Sequence, residues 1–261
     1  MSLPAGWLAP QWPAPPHVHA VCTTRAGGVS QPPYDSFNLG DHVGDDPGHV
    51  ASNRQALAEA LRARPVFLNQ VHGWNIAALD AFTPDATKAD ACLATQRGVA
   101  CTIMVADCLP VLFCDAQGTA VAAAHAGWRG LAGAGGRGVL EEVLKSFWAI
   151  APVPRARDAT KTIAWLGPCI GPDAFEVGAE VRSAFVAHEP KAAALFKPLR
   201  EGKWLADLPG LARQRLTALG VTQVHGNDGS APWCTVGNPS SFFSHRRDRV
   251  SGRLAASVWL D

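Results

Sequence analysis

The chain carries little charge and no apolar run long enough to cross a bilayer. Only 17% of its 261 residues are Asp, Glu, Lys or Arg, and the formal net charge is +1. With no excess of either sign, we expect neither nucleic acid nor a membrane surface as a partner. A membrane span needs about 18 consecutive apolar residues, and Pro10, Pro13, Pro15 and Pro16 would break a signal helix. The expected location is therefore the cytoplasm.

The cysteines and histidines lack the patterns of the common disulfide and metal scaffolds. The seven cysteines are odd in number, and none falls in a Cys-x-x-Cys pair, which argues against a disulfide framework and a zinc ribbon. The nine histidines contain a single His-x-His pair, at His17 and His19. Copper clusters of oxidases need several such pairs, and with only two methionines no blue-copper ligand set is evident. The sequence therefore disfavours a multicopper oxidase.

Hydrophobic patterning predicts strands and helices along one domain, residues 1–261, with helices packed on a mixed sheet. Asp46 followed by Pro47 is typical of a capped helix start, and we expect that helix to run to about Leu61. A proline-containing connector is predicted between Ala151 and Thr160. The other predicted strands are 19–24, 65–70, 99–106, 111–114, 120–124, 162–166, 221–224 and 254–260, and the other predicted helices are 139–148, 179–187 and 208–219.

Three metal-ligating side chains follow the predicted strands at the points where they end. His72, Cys108 and His125 each come just after an apolar run. Two imidazoles and a thiolate match the three protein ligands of a catalytic zinc site, which leaves the fourth position for water. The same residues also fit a nucleophile–base pair, with Cys108 as nucleophile and His125 or His72 as base. The spacing leaves both readings open, beside the plainer one of a core thiol and ordinary histidines.

Charged residues near these side chains are candidates for proton transfer and anion binding. Asp107, next to Cys108, can orient a histidine or carry a proton, and otherwise it is a turn residue before Pro110. Arg25, Arg129 and Arg246 lie in predicted loops, where their guanidinium groups can bind phosphate. A lone exposed arginine more commonly faces solvent or forms a surface salt bridge.

Short motifs distributed along the whole chain carry a family resemblance. They are Thr24–Ser30, Tyr34–Gly40, Gln70–Gly73, Ala106–Pro110, His125–Gly130, Gly167–Pro172, Phe175–Val177 and Ser244–Asp248. Together they resemble the bacterial YfiH-type family, whose members are known as polyphenol oxidases or laccase-domain proteins, purine nucleoside phosphorylases and peptidoglycan editing factors.

The resemblance implies a single-domain, four-layer α/β sandwich with mixed sheets flanked by helices and the site at one sheet edge. It implies a Zn²⁺ ion on His72, Cys108 and His125, phosphorolysis of adenosine, inosine, guanosine and methylthioadenosine, and deamination of adenosine. Purine nucleosides and inorganic phosphate are then the expected partners. Within this scheme Cys108, Asp107 and His125 are the catalytic candidates, and Arg25, Asn38, Arg129 and Arg246 are the substrate-binding candidates.

Two departures from the family pattern and several alternatives remain. Extra residues at Gly133–Arg137 are expected to reshape the rim near Arg129, and His245 stands where the family usually has Tyr. The alternatives are a copper-dependent polyphenol oxidase with Cu²⁺ at the site, a metal-free cysteine hydrolase, and a non-catalytic peptidoglycan-editing factor.

Overall fold

The computed structural model describes residues 4–150 and 158–261, so most of the predicted connector at 151–160 lies outside the described residues. The helices are α1 (Pro47–Leu61), α2 (Trp128–Ala132), α3 (Val139–Ile150), α4 (Ala179–Val186), α5 (Leu208–Ala218) and α6 (His245–Asp248). The strands are β1 (Val18–Cys22), β2 (Arg64–Phe67), β3 (Ile76–Ala78), β4 (Ala91–Ala94), β5 (Val99–Val105), β6 (Leu109–Asp115), β7 (Val121–Ala126), β8 (Thr162–Leu166), β9 (Glu176–Gly178), β10 (Phe196–Arg200), β11 (Lys203–Ala206), β12 (Gln223–Gly226) and β13 (Leu254–Leu260).

These strands form two large mixed sheets and a small one. The four-stranded sheet has the order β1-β13-β5-β2, the six-stranded sheet has the order β12-β8-β6-β7-β4-β3, and the small sheet has the order β10-β11-β9. Most neighbours in the large sheets are antiparallel, whereas β2 with β5, β3 with β4 and β12 with β8 are parallel. The mixed sheets predicted from the sequence are confirmed.

The two large sheets face each other, and helices cover their outer faces. Successive residues of a strand point to opposite faces, and β5 illustrates the result: Ile103 packs in the core between the sheets, whereas Met104 packs against α1 on the outer side. On the six-stranded sheet, Leu112 enters the same inter-sheet core while Phe113 packs in the core beneath α3 and α5. The expected four-layer sandwich is therefore confirmed, with layers α1, sheet, sheet, and α3 with α5.

Local signals in the sequence predict the bounds of α1 correctly but miss the end of β7. The Asp46 carboxylate accepts hydrogen bonds from the N–H groups of Gly48 and His49 and caps α1, which ends at Leu61 as predicted. Strands β6 and β7 pair as an antiparallel hairpin. However, β7 extends to Ala126, so His125 lies inside the strand opposite Pro110 and not beyond its end. That placement from the sequence was wrong because the continuous apolar run stops at Ala124, whereas the ladder of hydrogen bonds continues.

Two chain segments cross from one large sheet to the other at the same end of the sandwich. Residues 68–75 connect β2 of the four-stranded sheet to β3 of the six-stranded sheet, and residues 106–108 connect β5 to β6 in the same way. His72 lies in the first crossover and Cys108 in the second. His125, the next-to-last residue of β7, lies at this end as well. The three predicted ligands therefore meet where the gap between the sheets opens.

No helix in the described part of the chain is both long enough and apolar enough to cross a membrane.

Candidate metal centre

The ligand atoms of His72, Cys108 and His125 lie within 4.8 Å of one another. The two imidazole rings meet edge to face, with ring centroids 4.8 Å apart. The His72 ring is exposed, Cys108 is half-buried and His125 is 3% exposed, so the group spans the cavity from its floor to its rim. Among residues 4–150 and 158–261 this is the one group of three His, Cys, Asp or Glu side chains arranged so that it could hold a metal ion.

A fully buried aspartate, Asp90, bonds the ring of His125 and the backbone of His72, and no pattern in the sequence predicted it. Its Oδ1 accepts hydrogen bonds from His125 Nδ1 at 3.0 Å and from the His72 N–H at 2.8 Å. Its Oδ2 accepts from the N–H groups of Gly73 at 2.7 Å and Val71 at 3.2 Å. The only local signal was an acidic residue directly before the short strand β4, and nothing in that pattern indicates its distant partners.

The site favours the ionised thiol. Burial raises the pKa of Cys108, but the charges and hydrogen bonds of His125 and His72 outweigh burial and lower that pKa from 9.0 to about 6. Burial lowers the pKa of His125, yet the neighbouring Cys108 thiolate and the Asp90 carboxylate raise it to about 9. Burial also raises the pKa of Asp90, and the hydrogen bonds from His125 and Gly73 more than offset this, so it lies below its usual value. A thiolate is the form of cysteine that binds metal or attacks carbon.

The three side chains open into a cavity of about 440 Å³, the size of a small-molecule site. Its wall is basic: Arg246, Arg249, Arg253, His245 and His42 all line it, whereas Asp107 is the acidic residue among the lining side chains. Apolar surface comes from Trp128, Ile170, Phe175 and Leu208. A flat hydrophobic ligand with an anionic partner therefore fits the character of this cavity.

Asp107 connects the crossover that carries Cys108 to the basic wall of the cavity. Its Oδ2 accepts a hydrogen bond from the Arg246 N–H, and its Oδ1 accepts one from the Thr235 hydroxyl, both at 2.6 Å. A carboxylate has about four acceptor positions, so both oxygens retain capacity toward the cavity. The residue is nearly buried and has φ of 91°, a left-handed conformation that is uncommon outside glycine.

Of the predicted substrate-binding residues, Arg246 lines the cavity and the other three do not. Arg25 lies in the 25–36 loop, where Nε donates to the Asp35 carbonyl and its guanidinium pairs with the Asp35 carboxylate at 3.2 Å. Asn38 is fully buried, and its amide bonds Gly40, Asp45 and the Arg253 N–H. Its connection to the cavity is therefore through the backbone of Arg253.

Arg129 and the glycine-rich segment after it lie outside the cavity. The Arg129 guanidinium is exposed and stacks over the Trp128 ring, 4.5 Å from its centroid. Residues Gly133–Arg137 form a tight turn closed by hydrogen bonds between Ala134 and Arg137, and none of them lines the cavity. His245 does line it, as an exposed side chain at the start of α6.

The donor set fits a single zinc ion. Zinc binds nitrogen and sulfur at about 2.0–2.3 Å, so ligand atoms that lie within 4.8 Å of one another can reach a common ion with small movements of the side chains. Because His125 Nδ1 is engaged by Asp90, Nε2 is the nitrogen left for a metal. A carboxylate on the far nitrogen of a histidine ligand is the usual support of such sites.

This protein is a mixed α/β sandwich with a His/Cys/His group at the end where its two large sheets separate. Solved structures share its fold. Protein NMB0706 from Neisseria meningitidis superposes with a TM-score of 0.85 at 46% identity, covering 98% of this chain and 99% of that one. YlmD from Geobacillus stearothermophilus has the same TM-score at 29% identity, covering 100% of this chain and 98% of that one.

Residues 19–261 match the family described as multi-copper polyphenol oxidoreductase laccase, and the chain belongs to this family. A relative named purine nucleoside phosphorylase PA4543, from Pseudomonas aeruginosa, is 51% identical over 97% of this chain and 98% of the relative. Another, named purine nucleoside phosphorylase YfiH, from Escherichia coli, is 50% identical over 97% of this chain and 98% of the relative. The resemblance to the YfiH-type family is thereby confirmed.

Proposed function

We propose that this protein is a zinc-dependent purine nucleoside phosphorylase. Its substrates would be adenosine, inosine, guanosine or methylthioadenosine with inorganic phosphate, and its products the free base and a pentose 1-phosphate. The same site would also deaminate adenosine. The observation that carries the proposal is the meeting, in one cavity, of the His72, Cys108 and His125 group with the guanidinium groups of Arg246 and Arg253.

Phosphorolysis needs a phosphate held beneath C1′ of the sugar. One phosphate oxygen forms the new bond to C1′, the bond from C1′ to the purine nitrogen breaks, and the base leaves with the electron pair and gains a proton. Arg246 and Arg253 are suited to hold the phosphate, because guanidinium groups bind its oxygens in a bidentate manner. Arg246 is itself held in place, since Nη1 donates to the Glu176 carbonyl at 3.1 Å and its N–H donates to Asp107.

The purine would lie against the apolar part of the cavity, beside Trp128 and Phe175. A zinc ion at the three ligands supplies a Lewis acid and an activated water at neutral pH. Asp107 is the proposed acid–base group for deamination, because zinc deaminases use a carboxylate that is not itself a metal ligand. It borders the cavity next to Cys108 and keeps free acceptor positions there.

The test is a phosphorolysis assay on purified protein of measured metal content. With adenosine and phosphate, we expect adenine and ribose 1-phosphate, and inosine from the deamination. Chelator should abolish product formation, and added zinc should restore it. Cys108→Ala should lose both zinc and activity, whereas Cys234→Ala, which removes another half-buried thiol outside the ligand group, should keep both.

A metal-free cysteine hydrolase is the second candidate, favoured by the lowered pKa of Cys108 beside the raised pKa of His125. The two candidates differ in metal dependence. Chelator-resistant activity in zinc-free protein would favour the hydrolase. Copper in place of zinc, with oxygen consumed in the presence of a phenol, would favour the oxidase named by the family.

A further inference from the structure

Asp90 lies where it can set the geometry of two ligands that are distant in the chain. It directly precedes β4, and pairing of β4 with β7 places Ala91 opposite Ala124. This register brings Asp90 beside His125, whose N–H donates to the Asp90 carbonyl at 2.8 Å. The side chain of Asp90 is turned toward the crossover that carries His72. It has no exposed surface, so its carboxylate interacts with protein groups only.

We propose that Asp90 is the positioning residue of the metal centre, holding His125 through its ring and His72 through its backbone. The inference rests on the proposed function in that it takes His72, Cys108 and His125 to bind a zinc ion. Beyond that function, a single carboxylate sets the orientation of two of the three ligands.

At His125, Asp90 determines which ring nitrogen is free to bind a metal ion. An ionised carboxylate can only accept, so the Nδ1 atom 3.0 Å from Asp90 Oδ1 must carry the proton. The lone pair then resides on Nε2, and Nε2 is the atom that can bind the metal. The backbone hydrogen bond from His125 to the Asp90 carbonyl keeps the two residues in register. Without the carboxylate, both tautomers would be accessible and the ring would be free to turn.

At His72, Asp90 holds the backbone. Val71, His72 and Gly73 direct three successive N–H groups at the Asp90 carboxylate, at 2.7–3.2 Å. His72 itself has φ of 59°, in the left-handed region that non-glycine residues rarely adopt. A concave row of N–H groups of this kind binds an anion. The Asp90 charge therefore stabilises the turn that presents the His72 ring to Cys108 and His125.

Only a carboxylate can serve these four donors. Both of its oxygens accept, whereas the isosteric amide of asparagine has one oxygen and an NH₂ group that donates. In Asp90→Asn, the NH₂ group must face either the N–H groups of Val71 and Gly73 or the donors from His72 and His125. Either arrangement leaves buried donors without an acceptor.

The experiment compares Asp90→Asn with Asp115→Asn. Asp115 is also fully buried, and its carboxylate accepts hydrogen bonds from the N–H groups of Gln117, Thr119 and Ala120 at 2.7–3.1 Å. It lies at the end of the β6–β7 hairpin remote from Cys108 and contacts no proposed ligand. Zinc affinity is measured by chelator competition on folded protein, and thermal unfolding is measured on the metal-free proteins.

We expect both variants to unfold at lower temperature and Asp90→Asn alone to bind zinc about 10- to 100-fold more weakly. Unchanged zinc affinity in Asp90→Asn, or an equal loss in both variants, would overturn the inference. A wild-type protein that binds no zinc would also overturn it. That result belongs to the proposed function and is obtained before any variant is compared, so the two failures are distinguishable.

A second measurement needs no variant and applies even if Asp90→Asn does not fold. In zinc-loaded wild-type protein labelled with ¹⁵N, the assigned His125 ring should carry its proton on Nδ1, with Nε2 shifted by metal. A proton on Nε2, or fast exchange between the two tautomers, would contradict the assignment of Asp90 as the residue that positions His125.

Discussion

Substituting Gly127 by alanine should damage the metal site with little effect on the fold. Gly127 precedes α2, with φ of −65° and ψ of 156°, a conformation that any residue can adopt. A Cβ atom built there would lie 2.9 Å from Cys108 Sγ and 3.1 Å from Cδ2 of His72. Favourable contacts between such atoms are ~3.5–4.0 Å. The new methyl group must therefore displace two of the three proposed ligands by about half an ångström or more.

The loss of zinc affinity depends on whether the steric strain is present in the metal-free or in the zinc-bound protein. Overpacking of this kind costs about 1–3 kcal/mol. In metal-free protein both side chains can turn into the cavity that they border, so the fold should lose only the ~1 kcal/mol or less that alanine costs at a helix N-cap. A bound zinc ion would hold the ligands at fixed distances and prevent this rotation of the side chains. At about 1.4 kcal/mol per factor of ten, zinc affinity should fall roughly 5- to 150-fold.

Chelator competition measures the affinity, and chemical denaturation of metal-free protein measures the free energy of unfolding. Gly237→Ala is the matched control, because its Cβ would lie 3.7 Å from Cys234, in ordinary contact with a thiol outside the ligand group. The control should bind zinc like the wild type. Wild-type zinc affinity in Gly127→Ala would contradict this prediction, as would a loss of stability large enough to account for the weaker zinc binding.

Further predictions concern the cavity wall, a buried amide and the thiol. Arg246→Ala should raise the KM for phosphate more than that for adenosine, whereas Arg25→Ala, outside the cavity, should leave the KM for phosphate unchanged; steady-state kinetics with each substrate varied compares them. Asn38→Ala leaves several buried partners unsatisfied, at about 1–3 kcal/mol for each group, so urea denaturation should give a clearly lower free energy of unfolding. In metal-free protein, the rate of alkylation of Cys108 by iodoacetamide should increase as pH rises through about 6, because the thiolate is the reactive form. Burial raises the pKa of Cys108, but His125 and His72 lower that pKa by more. A midpoint near pH 9 would contradict this prediction.

The candidate ligands could be selected from the sequence because each has a side chain of a metal-binding type. Cys108, His72 and His125 follow apolar runs of the sequence, and the motifs around them are long enough to indicate the family. The Asp46–Pro47 pair and the apolar periodicity after it predicted α1 correctly, since capping and amphipathic burial depend on neighbours within a few positions. The boundary at His125 was missed because strand pairing, and not the local pattern, decides where a ladder ends.

The basic wall of the cavity could not be predicted from any local sequence pattern. Arg25 and Arg246 look alike in the sequence as arginines in loops, yet the first is paired with Asp35 and the second lines the cavity. Arg253 and Arg249 join Arg246 there because the segment before β13 returns past the crossover at Cys108. Sequence alone cannot distinguish a guanidinium that faces a cavity from one that is bound by its own loop.

From the amino-acid sequence alone, most of the longer helices and strands and the family could be predicted, and His72, Cys108 and His125 could be nominated as ligands, because these features depend on residue type and short spacing. The tertiary structure alone decided how those side chains meet and what surrounds them. His72 and Cys108 converge because two crossovers pass between the same pair of sheets, and Asp90 reaches His125, 35 residues away, because β4 pairs with β7. Such contacts arise from the packing and register of whole strands, which no segment of the chain specifies on its own.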